Sequence, residues 1–320
     1  MRWFGVAAGC VLLAAFGAAH AAYPERAVRV VMPFPAGGTV DVVTRLITEE
    51  MGRTLGKPLV SEYRPGAAGI LATETVARAQ PDGYTILITT PSHTINPALR
   101  AKMPFDTEQD LVPVSLLANV PELLVAHPAV PFGSLAEMMT YVRANPDRIN
   151  YSSAGTGTLP HITMELLLRR AGVRVAHIPY KGAAPALSDL LAGSIQLKFD
   201  TYVTSAQHLA AGKLKVLATA GSARLPQLPN VPTIAESGYP GYEGYLWIGA
   251  IAPRGTPAEV VMTLSNAIAQ AVKAPRVAER LRADGIETAP GGPEHMGRLI
   301  TREISQWTRI VREASITASD

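Results

Sequence analysis

Two glycine-rich segments carry the most chemical information in this chain. Residues 33–39 read PFPAGGT and residues 152–158 read SSAGTGT, and each segment follows a predicted strand and precedes a predicted helix. Glycine lets the backbone turn so that several N–H groups face one point, and the start of the following helix adds unpaired amides and a dipole. Both features favour the binding of an anion. One such loop is often only a tight turn, but two of them predict a site that holds a carboxylate from two sides.

The residues expected to contact the ligand lie in these loops and at two further strand ends. Thr39, Ser153, Thr156 and Thr158 add hydroxyl donors to the backbone amides. The predicted ligand-binding residues are Phe34, Ala36, Gly37, Gly38, Thr39, Asp41, Ser92, Ser153, Ala154, Gly155, Thr156, Gly157, Thr158 and Asp200.

Two acidic residues of this set each allow two interpretations. Asp41 lies just inside the helix that follows the first loop, where it either orders the loop by accepting its amides or favours the helix start by its charge. A carboxylate aimed at an anionic ligand would repel it. Asp200 ends a predicted strand, at the sheet edge where open α/β proteins bind ligands, and it either meets an amine or hydroxyl of the ligand or caps the next helix. Ser92 is placed similarly, after the strand that ends at Thr89.

The sequence does not match the motifs of nucleotide-binding proteins or of common enzymes. Residues 155–160 read GTGTLP, so Pro160 occupies the third glycine position of the dinucleotide fingerprint, and neither glycine loop ends in Gly-Lys-Ser/Thr. Neither G-x-S-x-G nor H-E-x-x-H occurs, and the histidines lack the spacing of a metal site. His161 is interpreted as a local hydrogen-bonding residue and Lys181 as a solvated lysine. The sequence therefore predicts no catalytic residue, no metal and no cofactor.

The first residues predict export. Arg2 precedes an apolar run over residues 3–19, and Ala19 and Ala21 form an A-x-A cleavage site. An uncleaved membrane anchor is the alternative interpretation. Lipid attachment at Cys10 is not expected, because it would leave most of the apolar run on the mature protein. With cleavage after Ala21 the mature chain has no cysteine, which excludes disulfides, thiolate nucleophiles and cysteine-ligated zinc.

Charge excludes a nucleic-acid partner. The 320 residues include 29 Lys and Arg against 26 Asp and Glu, a formal net charge of +3, and neither sign forms a long run. Nucleic-acid binding requires clustered basic residues.

Short β-branched runs alternate with helical stretches, which is typical of a parallel α/β architecture. The predicted strands are residues 28–32, 59–62, 84–89, 112–117, 123–127, 149–152, 173–178, 195–199, 214–218 and 245–252. The predicted helices are residues 40–51, 69–80, 135–145 behind a capping box at 134–137, 160–171 and 184–191, a short helix in the proline-rich stretch 225–240, and three C-terminal helices.

These boundaries predict a chain that leaves one α/β unit near residue 123 and returns to it near residue 243. The predicted division is a signal peptide at 1–21, a first domain formed by 22–122 together with 243–320, and a second domain at 123–242. Two crossing segments allow a hinge that closes the domains around a ligand. A single large α/β domain is the alternative.

The two loops and their flanks resemble the Bug family, the substrate-binding receptors of tripartite tricarboxylate transporters, from about residue 24 to the C-terminus. The matching segments are PFPAGGTVD at 33–41, RPGAAG at 64–69, PDGYT at 81–85, SAGTG at 153–157 with His161 after it, PYKG at 179–182, FD at 199–200 and APRGTP at 252–257. One departure is visible, since family members often carry asparagine where this chain has Tyr63.

The resemblance implies a type II-like periplasmic binding protein with a ligand cleft between two α/β domains. It also implies a ligand carboxylate held by main-chain amides and waters at the two glycine loops. Family members carry dicarboxylates, tricarboxylates, acidic amino acids or aromatic acids to a membrane permease. The expected protein is therefore a monomeric periplasmic receptor for a small carboxylate, and not an enzyme. The alternatives are a ligand-presenting accessory of a signalling system and an exported hydrolase using Asp41, His161 and Asp200.

Overall fold

The computed structural model of the chain describes residues 23–288, 291–314 and 316–317. The predicted signal peptide, residues 1–21, lies outside these residues. The strands are β1 (Val28–Met32), β2 (Leu59–Tyr63), β3 (Thr85–Thr89), β4 (Leu111–Ala126), β5 (Asn150–Ser153), β6 (Ala176–Pro179), β7 (Leu197–Thr201), β8 (Lys215–Thr219) and β9 (Tyr245–Pro253). They form one mixed sheet in the order β2-β1-β3-β9-β4-β7-β5-β6, with β8 paired to β4.

Helices follow most of the parallel strands. They are α1 (Thr39–Leu55), α2 (Ile70–Ala77), α3 (Ser92–Leu99), α4 (Leu135–Ala144), α5 (Leu159–Ala171), α6 (Ala183–Leu191), α7 (Tyr202–Ala210), α8 (Ala258–Lys273), α9 (Pro275–Ala283) and α10 (Pro293–Glu313). The predicted capping box forms in part, because the Glu137 N–H donates to Ser134 Oγ at 3.2 Å while the Glu137 carboxylate accepts from the Gly133 N–H at 2.7 Å. The prediction of a short helix within 225–240 is wrong, because that stretch consists mainly of turns.

The first part of the sheet is built on β1, which pairs in parallel with β2 and β3. The alternating βα order requires this arrangement, because parallel strands need a crossover between them. Val28, Val30 and Val31 are fully buried, and α1 covers one face of β1 with Val43 and Ile47. Strand β9 then pairs antiparallel to β3, so the chain returns to this part of the sheet near its C-terminus.

Strand β4 is the element that joins the two parts of the sheet. It pairs with β9 up to Pro121↔Tyr245, and from Glu122 onward it pairs with β7 and β8. The prediction of two strands separated by residues 119–121 is wrong, because pairing continues through Pro121. A proline lacks the N–H that a sheet needs, and it is tolerated here where the strand exchanges one set of partners for another.

The second part of the sheet surrounds β5, which is parallel to both β6 and β7. Its core contains Tyr151, Leu167 and Phe199, all fully buried. The helices that follow β1, β3, β5, β6 and β7 all start at the carboxyl ends of these strands. That edge of an open α/β sheet is where ligands bind, and it is where the cavity described below lies.

Candidate ligand-binding site

A cavity of about 50 Å³ lies at the carboxyl ends of the strands, between the two parts of the sheet. Of the predicted ligand-binding residues, those that line it are Phe34, Gly38, Thr39, Asp41, Ser92, Ala154, Thr158 and Asp200. Those that lie in the loops without lining it are Ala36, Gly37, Ser153, Gly155, Thr156 and Gly157. The structure thus brings both loops to one cavity, while direct ligand contact by each residue stays a prediction.

Besides α3, whose first residue Ser92 lines the cavity and donates its N–H to Thr90 Oγ1 at 3.4 Å, four helices of the described chain begin there. Helix α1 starts after Gly38, α5 after Thr158, α6 after Gly182 and α7 after Thr201, and in none of them does an N-cap side chain accept a hydrogen bond from the first turn. In α1 the Val42 N–H donates to the Gly38 carbonyl at 3.1 Å, as the helical pattern requires, whereas the earlier amides have no acceptor within the helix. These helix ends therefore direct partial positive charge at the cavity.

The first glycine loop is ordered by Asp41. Its carboxylate accepts a hydrogen bond from the Gly37 N–H at 2.9 Å through Oδ2, and one from the Tyr63 hydroxyl at 2.6 Å through Oδ1. Gly37 has a φ of +89°, a conformation that glycine adopts without strain. Asp41 thus accepts a hydrogen bond from a loop amide, which agrees with the interpretation that this residue orders the loop. Tyr63, the residue that departs from the family pattern, is part of the same arrangement.

Asp41→Ala is expected to lower the free energy of unfolding by about 1–3 kcal/mol, because the Gly37 N–H and the Tyr63 hydroxyl both lose their acceptor. Denaturant unfolding followed by circular dichroism measures the change. Tyr63→Phe removes one of the two hydrogen bonds and is the matched control, with an expected loss of about 1 kcal/mol. A variant with Ala at position 41 that is as stable as the unchanged protein would contradict the ordering role.

The second glycine loop is held by two histidines. The Gly155 N–H donates to Ser153 Oγ at 3.1 Å, and Ser153 Oγ lies 2.7 Å from His177 Nε2. The Gly157 N–H donates to His161 Nδ1 at 3.3 Å, and the two imidazole rings stack at 4.3 Å. Burial lowers the pKa of His161 to about 4 and that of His177 to about 3. Both rings are therefore neutral near pH 7, which leaves His161 Nδ1 free to accept the amide.

The hydrogen bonds within the loops decide which amides remain for an anion. The amides of Gly37 and Gly157 donate to side chains in the first turns of α1 and α5, and that of Gly155 donates to Ser153 within its loop. Sequence reasoning placed the anion on these loop amides, whereas the amides at the helix starts are those left without side-chain caps. The glycines thus shape the loops that bring the helix starts together.

Both loops contact the opposite part of the molecule. Thr39 Oγ1, at the start of α1, lies 2.7 Å from Thr201 Oγ1, at the end of β7. A Cβ atom on Gly157 would lie 3.0 Å from Asn96 Oδ1 of α3. Since β7 belongs to the second part of the sheet and α3 follows β3 in the first, these contacts close the cavity from two sides.

A buried charged cluster, Glu122, Lys198 and Asp200, forms one wall of the cavity. Lys198 Nζ lies 2.8 Å from Asp200 Oδ1, with side-chain exposures of 1% and 2%, and it also donates to the Phe199 carbonyl at 3.1 Å. The hydroxyls of Thr204 and Ser205 donate to the Asp200 carboxylate at 2.8 and 3.0 Å. Asp200 is therefore tied to the first turn of α7 through two side chains.

Glu122 is the third member of this cluster and is fully buried. Burial raises the pKa of Glu122 to about 8; the hydrogen bond with Thr163 and the charge of Lys198 oppose this shift, and the charge of Asp200 adds to it. Thr163 Oγ1 lies 2.8 Å from both Glu122 Oε2 and the Leu159 carbonyl oxygen. The Thr163 hydroxyl therefore donates to both oxygens in a bifurcated hydrogen bond.

Glu122 and Lys198 were missed by sequence reasoning. Each is a charged residue within a strand whose neighbours are apolar, PELLVA at 121–126 and LKFDT at 197–201. A charge inside a buried strand requires a partner or a function. That signal was present in the sequence, and the position of Asp200 two residues after Lys198 strengthened it.

The remaining lining is largely apolar, with Phe34, Val40, Leu159, Phe199 and Leu246 around the cavity. The described residues contain no group of three or more His, Cys, Asp or Glu side chains that could hold a metal ion. The arrangement can bind an anion and enclose an apolar body.

The fold and the cavity agree with a comparison to known protein families. Residues 43–316 match the family described as tripartite tricarboxylate transporter family receptor. The chain belongs to this family. The resemblance to the Bug receptors is thereby confirmed, and so is the α/β fold of a periplasmic binding protein.

Three solved structures of receptors illustrate the similarity. The periplasmic binding protein BugD is 36% identical, with a TM-score of 0.89 over 92% of this chain and 99% of its own. Rpa4515 of R. palustris with adipate is 36% identical, with a TM-score of 0.89 over 92% of this chain and 99% of its own. MatC of Rhodopseudomonas palustris with bound malate is 37% identical, with a TM-score of 0.85 over 90% of this chain and 100% of its own.

Family membership makes this chain a solute-binding receptor of the tricarboxylate-transporter type. Within the described residues, none of the helices combines the length and the apolar character that a membrane span requires.

Proposed function

We propose that the mature receptor binds a small carboxylate in the periplasm and delivers it to the permease of a tripartite tricarboxylate-type transporter. The observation that carries this proposal is the meeting of four helix starts without side-chain caps at one cavity. Amides and dipoles of this kind stabilise a carboxylate without a cationic side chain, so that ligand release requires no ion pair to be broken.

Two relatives support the ligand class. Rpa4515 was solved with adipate and MatC with malate, and both share more than a third of their residues with this chain. The family description supports a membrane transporter as the partner. The predicted signal peptide supports export to the periplasm, and cleavage after Ala21 would release the mature receptor there.

The receptor is proposed to close as two domains, 22–122 with 243–320 and 123–242. The change of partners in β4 at Glu122 supports a boundary there, because residues up to 121 pair with β9 and residues 122–126 pair with β7 and β8. Thr39 and Thr201 meet across the cavity and would separate on opening. The ligand-binding residues proposed on sequence are retained in this scheme, with the helix starts as the direct anion contacts.

Binding without chemical conversion is part of the proposal. The three residues of the hydrolase alternative are engaged separately: Asp41 with Gly37 and Tyr63, His161 with Gly157, and Asp200 with Lys198. Catalysis by a nucleophile and base requires the two groups within hydrogen-bond reach of each other. This separation favours reversible capture.

The test measures the affinity for carboxylates, the compactness of the protein and the chemical state of the bound compound. Isothermal titration of the mature protein with a panel of carboxylates is expected to give at least one dissociation constant in the micromolar range, about −8.2 kcal/mol. Small-angle scattering at saturation is expected to give a smaller radius of gyration than that of the ligand-free protein, and an unchanged profile would argue for a rigid, pre-formed pocket. Recovery of the bound compound by mass spectrometry checks that it is unchanged. A protein that binds no carboxylate, or one that converts it, would contradict the proposed function.

A further inference from the structure

The carboxyl group of Glu122 is a buried polar group to which the proposed function gives no role. Glu122 lines the cavity, and only 1% of its surface is exposed. It lies where β4 exchanges its partner β9 for β7 and β8, so it belongs to the strand that joins the two parts of the sheet. An ionised carboxylate in such a place requires a cation or several hydrogen-bond donors.

The charges around Glu122 do not supply that cation. Lys198 is the one basic side chain among the described residues that line the cavity, and its ammonium group pairs with the Asp200 carboxylate at 2.8 Å. Asp200 is itself a buried acid, and its charge opposes a second negative charge on Glu122. Because burial raises the pKa of Glu122 to about 8, the carboxyl is mainly neutral at pH 7.

Two further titratable groups lie near this carboxyl or across the cavity from it. Burial raises the pKa of Tyr242 well above its usual range, so this phenol adds no charge beside Glu122 between pH 7 and 9. Asp41, on α1, accepts hydrogen bonds from the Gly37 N–H and the Tyr63 hydroxyl. Neither group takes the proton of Glu122 as a hydrogen-bond acceptor.

The hydrogen bonds of Glu122 indicate which of its oxygens carries the proton. Oε2 accepts from the Thr163 hydroxyl at 2.8 Å, and a Cβ atom on Gly244 would lie 3.2 Å from Oε2, so this oxygen is covered by protein. Oε1 has no hydrogen-bond partner among the described residues. The proton of the neutral carboxyl therefore belongs on Oε1, the oxygen left for the cavity. A buried O–H donor without an acceptor is costly, and a ligand oxygen would remove that cost.

We propose that Glu122 is a ligand-binding residue, which donates a hydrogen bond from Oε1 to an oxygen of the bound carboxylate and so couples binding to a proton. This inference rests on the proposed function, because it assumes that the cavity binds a carboxylate. The amides of the helix starts hold the anion without a group that titrates, whereas Glu122 adds one that does. Above about pH 8 the free receptor has released this proton and must take it up again to bind, since an ionised Glu122 would repel the ligand.

The experiment counts the protons taken up on binding. The mature protein is titrated calorimetrically with malate, succinate, adipate and benzoate, which are fully ionised at pH 7 and above, in buffers of different ionisation enthalpy. For each acid that binds, the uptake is expected to be small at pH 7, about half a proton at pH 8 and close to one at pH 9. The dissociation constant should rise about tenfold from pH 7 to pH 9. Constant affinity without proton uptake would overturn the inference and leave the proposed function intact.

Two variants separate hydrogen-bond donation from the charge of Glu122. Glu122→Gln keeps a donor in its amide nitrogen and an acceptor for Thr163 in its amide oxygen, so at pH 7 it should bind within about threefold of the unchanged protein. It should show no proton uptake at pH 8 or 9. Glu122→Ala lacks the donor and should weaken binding at pH 7 by at least about tenfold. The matched control is Glu259→Gln on an exposed part of α8, which should keep both the affinity and the proton count.

The remaining outcomes separate the inference from the proposed function. Proton uptake that persists in Glu122→Gln would assign the titration to another group and overturn the inference, as would undiminished binding by Glu122→Ala. Circular dichroism confirms folding, and the proton counts of the unchanged protein and of Glu122→Gln carry the test if the alanine variant does not fold. An absence of binding by all four acids at pH 7 would contradict the proposed function, and the inference would fall with it.

Discussion

Gly157→Ala is expected to weaken carboxylate binding by at least tenfold. Gly157 has a φ of +88°, and an added Cβ atom would lie 3.0 Å from Asn96 Oδ1 and 3.3 Å from Leu99 Cδ1. The left-handed strain lowers stability with or without ligand. The contact of the added methyl group with α3 opposes the closed arrangement, where the second loop faces Asn96, and a cost of about 1.4 kcal/mol there is tenfold in the dissociation constant. Isothermal titration with the tightest-binding acid measures the loss.

The matched control for this change is Gly172→Ala at the end of α5. Gly172 also has a positive φ, +64°, but nothing lies within 4 Å of an added Cβ atom. This variant should lose stability by about 1 kcal/mol and keep its affinity, because the strain is present without the contact across the cavity. Equal losses of affinity in both variants would show that loop strain has only a general effect. Undiminished binding by Gly157→Ala would show that contact with α3 plays no part in closure.

The parallel strands and the glycine loops could be predicted because their signals are local. Strand β1 appears as a run of five residues, four of them apolar and one an arginine, and the loop that follows it contains two glycines and two prolines. Such patterns are determined by backbone conformation within a few residues. The bounds of β1, β2 and β3 were predicted in this way to within one residue.

Elements that depend on distant partners could not be predicted in the same way. Helix α3 contains Pro97 and begins directly after Pro91, so its sequence resembles a loop. It forms because α10 packs against it, with Thr94 donating to the Glu303 carboxylate at 2.8 Å. Helix α7 is held at its start by the Asp200 carboxylate, which accepts from Thr204 and Ser205. Continuity of β4 through Pro121 likewise depends on β9, which is more than a hundred residues away.

The position of the anion contacts was the least predictable part of the site. Gly-rich loops indicate that amides are exposed, but they do not indicate which amides bond within the loop. Asp41 accepts from Gly37, and His161 accepts from Gly157, so these amides are occupied by side chains that the sequence places four residues further on. Hydrogen bonds between a loop and the first turn of its helix are common, and they decide which donors stay open. The burial of Glu122 and Lys198 depends on both parts of the sheet and required the structure.

Glu122→Gln is expected to stabilise the protein at pH 7–8 and to have no such effect near pH 4.5. Burial raises the pKa of Glu122 from 4.5 to about 8. A raised pKa means that the unfolded chain releases this proton at lower pH than the folded protein does. The stability contributed by the neutral carboxyl is therefore fully present below about pH 4.5, and it is lost as the pH rises through about 8. Glutamine cannot ionise, and its amide oxygen can accept the hydrogen bond from Thr163.

The size of this stabilisation follows from the difference between the pKa values of Glu122 in the folded and unfolded states. At pH 7 the unfolded state gains about 3 kcal/mol from ionisation of this group, which corresponds to roughly 5–10 °C in the melting temperature. The measurement is thermal unfolding of both proteins from pH 4.5 to pH 8, with the difference in melting temperature plotted against pH. Glu259→Gln on the exposed face of α8 is the control and should give a flat difference. A difference for Glu122→Gln that is flat, or that turns against the variant as the pH rises, would show that Glu122 is ionised and paired with Lys198.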